Sequence, residues 1–176
     1  MLFSDRSIWT MVHGIGLSGA ALAGLFAALF CLQAMAAGRD PEANRAQARA
    51  LSGLLLFTAA ALWASVLVGT FVVFPEYRLP PPAGTVDLGP YPRALLLGNP
   101  DTAWLHAFAM ECKEHMPWIA AMLATAVAFV STRYRSQLLT DTSLRRATMT
   151  MLLICFAIVG FIGLLGTLVN KVAPLQ

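Results

Sequence analysis

The chain has 176 residues, of which 58% are apolar and only 12% are charged. Soluble domains carry about 25% charged residues, so this chain is too apolar to cover a water-facing surface. The net charge is only +3 and the arginines lie in separate segments, which argues against nucleic acid as a partner. The composition therefore predicts an integral membrane protein embedded in the lipid bilayer.

Four segments are long enough to cross that bilayer, since a membrane helix needs about 20 mostly apolar residues. They run from about residue 8 to 37, 51 to 74, 102 to 130 and 147 to 169. The first is longer than the apolar part of a secretory signal, about 7–15 residues, so we expect it to be a retained span. The sequence thus predicts an all-α, integral membrane four-helix bundle in a single domain over residues 1–176.

The arginines between the spans predict the orientation of the bundle. Lys and Arg are enriched in short loops that stay in the cytoplasm. The sequence therefore predicts a bacterial-type inner membrane, with both termini and the segment 75–101 on the outer side. The arginines expected in the two cytoplasmic loops are Arg39, Arg45, Arg49, Arg133, Arg135, Arg145 and Arg146.

The outer loop, residues 75–101, is rich in proline and contains seven of these residues. It also carries tyrosines and the apolar run 95–97, unlike a polar linker. Long ordered loops are usually held in place by other parts of a structure. We therefore expect this loop to be ordered, either by its own bundle or by a partner subunit. Asp101 or Thr102 is expected to cap the third helix.

Two rows of small residues predict how the helices pack. Small side chains let membrane helices approach one another closely, so each row is expected to form a tight helix–helix seam. The alternative is that the glycines open space for a flat cofactor ring. The rows are Gly16, Ala20 and Gly24 in the first span, and Gly160, Gly163 and Gly166 in the fourth.

The third span begins with a charged stretch, residues 106–118. A helix that started only after it, at Trp118, would extend about 20 Å to Val130, which is too short for a hydrocarbon core of about 30 Å. The charges must therefore lie at membrane depth, where ionisable residues indicate a functional site. The residues concerned are His106, Glu111, Lys113, Glu114 and His115.

These charges cannot all stay unpaired at that depth. Lys113 is expected to have an acidic or carbonyl partner, and Glu111 is expected to reach His115 four residues later. Glu114 is expected to point into a cavity or toward a neighbouring subunit. Together, Glu111, Glu114 and His115 are candidates for handling protons.

Two histidines come out at the same depth when residues are counted from the cytoplasmic helix ends. His13 lies 24 residues up the first span and His106 lies 25 residues up the third, or about 36–38 Å at the helical rise. The match predicts that they are axial ligands of one haem b, or ligands of a shared metal ion. Arg78 or Arg93, from the outer loop, is then expected to pair with the haem propionates.

The chain carries none of the common catalytic motifs, so a stand-alone enzyme is not expected. The first hypothesis is a membrane subunit of a respiratory or photosynthetic electron-transfer complex, binding haem b or quinol near the outer face. The second is a cofactor-free accessory subunit that stabilises a larger membrane complex. The third is a small membrane metal-binding protein that holds copper through histidine, methionine and cysteine.

Overall fold

The structure, a computed structural model, describes residues 4–37 and 41–174. Four helices among these residues are long and apolar enough to cross a membrane. They form an up-and-down bundle in which each span packs against the next and the fourth packs against the first. The predicted all-α four-helix bundle is confirmed.

Three of the four spans contain a π-helical segment between two α-helical ones. The first span consists of Asp5–Met11, the π-helix Val12–Ser18, and Gly19–Ala37. The second consists of Pro41–Val68, the π-helix Gly69–Val73, and Phe74–Tyr77. The third consists of Pro100–Trp104, the π-helix Leu105–Met110, and Glu111–Arg133. The fourth is Thr142–Val172, and short helices Pro92–Leu97 and Arg135–Thr140 precede the third and fourth spans.

All three π-helical segments lie in the same half of the bundle, next to the long loop between the second and third spans. We call this the long-loop half, and the half with the two short connections the short-loop half. π-Helical turns are rare and are often found at functional sites. Because all three segments lie there, the long-loop half is the first place to look for a functional site.

The second span begins at Pro41, well before the predicted residue 51. Alanine, arginine and glutamine, which fill this stretch, are good helix formers, and proline suits the first position of a helix. Arg45 and Arg49 therefore lie on a helix rather than in a loop. Arg39, in the same predicted loop, lies outside the described residues.

The cap of the third span is Asn99, whose side chain accepts a hydrogen bond from the Asp101 amide at 2.9 Å. The prediction that Asp101 or Thr102 caps this helix was wrong. Because Pro100 has no N–H and a fixed φ, it suits the first helical position, and the cap is therefore the residue before it, Asn99.

The core of the short-loop half is a cluster of leucines, alanines and valines from all four spans. Leu25, Leu55, Val127 and Leu152 are fully buried in it. A Cβ added at Gly24 would overlap the Thr58 hydroxyl, so the first and second spans approach closely here. The seam predicted for the first span is present at this glycine.

A second apolar cluster holds the long-loop half together, and none of its buried members comes from the first span. It includes Tyr77, Leu105 and Val169, from the second, third and fourth spans, and Leu96 of the short helix in the long loop. Leu96 is fully buried. The long loop is therefore held by its own bundle, one of the two predicted alternatives.

In the long-loop half the first span is joined to the second by polar contacts. The Arg6 guanidinium lies 2.7 Å from the Glu76 carboxylate, and His13 is hydrogen-bonded to Ser65. No residue of Asp5–Met11 or Val12–Ser18 is buried. The first span thus stands apart from the apolar cluster of the long-loop half, and a cavity fills the space between them.

Candidate functional site

The cavity has a volume of about 1020 Å³ and is lined by residues of all four spans. Ligand sites usually measure about 300–1,000 Å³, so this one is large enough for a sizeable organic molecule. Most of its wall is apolar. The ionisable and hydroxyl side chains on that wall include His13, Ser65, Tyr77, Lys113, Glu114 and His115.

The glycines of the fourth span form part of the cavity wall. No atom lies within 4 Å of the place that a Cβ on Gly160 or Gly163 would occupy. The tight seam predicted for this row was therefore wrong at these two positions, and the alternative, that the glycines open space, describes them better. Because Gly160 and Gly163 have no side chain, the cavity is wider at these positions, and no helix contact is lost.

His13 is fixed against the second span. Its Nδ1 lies 3.0 Å from the Ser65 carbonyl oxygen and 3.1 Å from the Ser65 hydroxyl, and its ring packs directly over Gly69. Because a carbonyl can only accept, Nδ1 carries the proton and Nε2 keeps its lone pair. Nε2 is thus the ring nitrogen left for a hydrogen-bond donor or a metal.

Ser65 extends this contact into a small polar group. Its hydroxyl lies 2.7 Å from the Ser18 hydroxyl, so it connects the π-helical part of the first span to the second. Sequence reasoning did not single out Ser65, since a lone serine in an apolar span gives no signal until the facing helix is known.

Replacing Ser65 by alanine should lower the stability of the protein by about 1 kcal/mol. Hydrogen bonds between membrane helices contribute about 0.6 kcal/mol on average and up to about 1.7 kcal/mol, and this change removes the contacts to Ser18 and to His13 Nδ1. Thermal unfolding in detergent measures the loss. Thr132→Ala is the control, because Thr132 bonds only to its own helix, and an equal loss in both variants would contradict the assignment.

Lys113 projects into the cavity without a partner. Within residues 4–37 and 41–174 it makes no hydrogen bond and no ion pair. Its Nζ lies 3.4 Å from the place of a Cβ on Gly166. The prediction that Lys113 has an acidic or carbonyl partner was therefore wrong, because the glycine face opposite it offers no polar group.

Tyr77 and His106 form a hydrogen bond at the border of the cavity, with 2.9 Å between the hydroxyl and Nδ1. Tyr77 lines the cavity and is only 4% exposed, whereas His106 does not line it. Arg93 and Glu114 are close enough to interact electrostatically with both side chains. Tyr77 thus connects the cavity to a charged cluster. The sequence predicted His106, Arg93 and Glu114 as site residues but not Tyr77.

The predicted site residues fall into separate groups. His106, Arg93 and Glu114 surround Tyr77, and Arg78 interacts electrostatically with His106 while its guanidinium lies over the Phe74 ring. His13 instead contacts Ser65 and Gly69 in the first–second span contact. No contact of the described side chains joins the two imidazoles, so the haem ligand pair stays a prediction.

The predicted contact between Glu111 and His115 is present. The Glu111 carboxylate lies 3.8 Å from His115 Nδ1, which also donates to the Glu111 carbonyl at 2.9 Å. Both side chains are mostly exposed, at 66% and 73%. The pair therefore lies on the outside of the bundle, and only His115 borders the cavity.

A conventional metal centre finds no support in the described residues, where no three His, Cys, Asp or Glu side chains are grouped so as to hold a metal ion. The cysteines are free, and Cys155 is buried with its thiol 3.4 Å from the Ala120 carbonyl. In this position Cys155 serves as a small core residue.

Fold and site together define a helical protein with four membrane-crossing helices and a ligand-sized cavity in one half. No protein-family model matches the chain, and searches of the curated proteins and of the solved structures find no match. The chemistry of the cavity therefore has to carry the functional argument.

Proposed function

We propose that the chain is a membrane subunit of an electron-transfer complex and that its cavity binds a quinol or quinone. The observation that carries this proposal is the cavity of about 1020 Å³ itself, since it combines a mostly apolar wall with protonatable side chains. A quinol likewise combines an apolar part, its tail, with a polar part, its head, which transfers protons and forms hydrogen bonds. The neighbouring subunits of the complex are part of the proposal.

The side chains around the cavity match the needs of a quinol head. His13 Nε2 and the Glu114 carboxylate can accept hydrogen bonds from hydroxyl groups, and Tyr77 can donate one to a carbonyl. Glu114 and the Tyr77–His106 pair are the candidates for taking up protons, with Glu111 and His115 on the outer side of the same span.

Haem b remains the second cofactor to test. His13 fits an axial ligand, because its Nδ1–H is held by a carbonyl as in many metal-ligating histidines. His106, the other predicted ligand, lies outside the cavity lining, with its Nδ1 hydrogen-bonded to the Tyr77 hydroxyl. The geometry of the described residues therefore supports quinol more than a bis-histidine haem.

Binding can be measured on the purified full-length protein in lipid nanodiscs. Trp118 lines the cavity, so we expect decylubiquinone to quench its fluorescence in a variant whose other tryptophans are phenylalanine. The control variant keeps only Trp104, which lies outside the cavity lining. Equal quenching of Trp118 and Trp104, or none, would contradict the proposal.

A reduced-minus-oxidised absorption spectrum and metal analysis of the same sample test the other cofactors. A haem b spectrum would shift the proposal from quinol to haem, and stoichiometric copper would favour a metal-binding protein.

We further propose that the long-loop end faces outward in a bacterial-type inner membrane, with both termini on that side. The exposed Val86 lies in the long loop and the exposed Ser136 in the short connection before the fourth span. In intact spheroplasts, a membrane-impermeant maleimide should label Val86→Cys and leave Ser136→Cys unlabelled until the membrane is opened. The reverse pattern would contradict the orientation.

A further inference from the structure

The unpartnered Lys113 bears on the kind of head group that the cavity can bind. An isolated charge at membrane depth is costly, so a charged lysine there needs a compensating group. Within the described ranges the protein supplies none, as neither a carboxylate nor a carbonyl bonds to its Nζ.

The acidic residues nearest in sequence form no ion pair with Lys113. Glu114 is the next residue, but successive helical side chains point about 100° apart, and its electrostatic partners are Tyr77 and His106. Glu111 interacts with His115 on the outside of the bundle. Among the described residues, no carboxylate forms an ion pair with Lys113.

The groups that face Lys113 from the first and fourth spans leave room for a ligand and bring no negative charge. Gly166 faces its Nζ without a side chain, and Gly163 beside it has open space. His13 is the ionisable neighbour from the first span, and it interacts electrostatically with Lys113 without supplying an anion. An anionic oxygen placed here would gain a charge-assisted hydrogen bond.

We infer that the cavity binds an amphiphile whose head presents an anionic oxygen to Lys113. In the first form of this inference, the ligand is a quinone whose head is ionised. This form rests on the proposed quinone site and specifies the charge of its ligand. The same chemistry exists in a second source, the carboxylate of a fatty acid or lipid from the surrounding membrane.

Paired probes that differ only in head charge separate these forms, with quenching of Trp118 as the readout. The quinone pair is an undecyl hydroxynaphthoquinone, ionised at neutral pH, and its neutral methoxy analogue. The lipid pair is dibromostearate and its methyl ester. The variants are Lys113→Met, which keeps the length of the side chain, and Lys113→Arg, which keeps its charge.

We expect the native protein to bind the ionised hydroxynaphthoquinone at least about tenfold tighter than the methoxy analogue, since hydrogen bonds between charged groups are stronger than those between neutral groups. Lys113→Met should lose this preference and still bind the methoxy analogue, and Lys113→Arg should keep it. Retained binding of the neutral analogue shows that the Lys113→Met variant is folded.

The remaining outcomes distinguish the inference from the proposed function. Equal binding of both quinones to the native protein and to Lys113→Met would overturn the inference and leave the quinone site intact. Binding of dibromostearate alone, dependent on Lys113, would overturn the quinone site and support an anionic lipid ligand. Absence of binding by all four probes would overturn both.

Discussion

Replacing Gly163 by leucine should abolish quinone binding and leave the fold intact. The place of a Cβ on Gly163 has no atom within 4 Å, so the new side chain meets no protein atom at its base and extends from the cavity wall. A leucine there takes up space that the ligand needs. Glycine also costs about 1 kcal/mol in a helix relative to alanine, so the variant should be at least as stable as the native protein.

Gly53→Leu is the matched control. Gly53 is likewise a helical glycine with no atom within 4 Å of its Cβ position, but it does not line the cavity. Titration of both variants with decylubiquinone should show loss of Trp118 quenching only in Gly163→Leu. If Gly163→Leu bound the quinone as tightly as Gly53→Leu does, the cavity would not be the binding site.

The largest loss of stability is expected from Gly24→Ala, about 1–3 kcal/mol, the usual cost of overpacking a core. The added methyl group would overlap the Thr58 hydroxyl, which is held by a 2.8 Å hydrogen bond to the Leu54 carbonyl. Either the two spans move apart or Thr58 gives up that bond. The midpoint of thermal unfolding in detergent should fall clearly.

A second change should restore part of this loss. In Gly24→Ala combined with Thr58→Ala, the overlapping hydroxyl is absent, so the double variant should be more stable than the sum of the two single effects. Gly53→Ala is the control and should be neutral or slightly stabilising. Additive losses in the double variant would show that the overlap at Thr58 is not the cause.

The number and type of the helices could be predicted because they depend on length and hydropathy alone. Their ends could not, since helices continue past the apolar stretch wherever caps and helix-forming residues allow. The fourth span starts at Thr142, where Asp141 accepts hydrogen bonds from Ser143 and Leu144, rather than at the predicted residue 147. Such caps act over a few residues and leave the hydropathy unchanged.

The candidate site could be predicted only in part, because it depends on how the helices face one another. In a regular α-helix, which advances about 100° per residue, His106 and Lys113 would lie on one side of the third span. The π-helical segment Leu105–Met110 contains His106 and ends before Lys113, and its wider turns change that angle. His106 accordingly contacts Tyr77, while Lys113 faces the cavity.

The absence of the first span from the buried cluster of the long-loop half gives the molecule two levels of local stability. In hydrogen exchange, backbone amides near Leu25 and Leu152, inside the continuous core, should open only with global unfolding. Amides of Val12–Ser18, where no residue is buried, should exchange through smaller and more frequent openings. A ligand at 100 times its Kd adds about 2.7 kcal/mol, so its binding should slow exchange most in Val12–Ser18, which borders the cavity and has no buried residue.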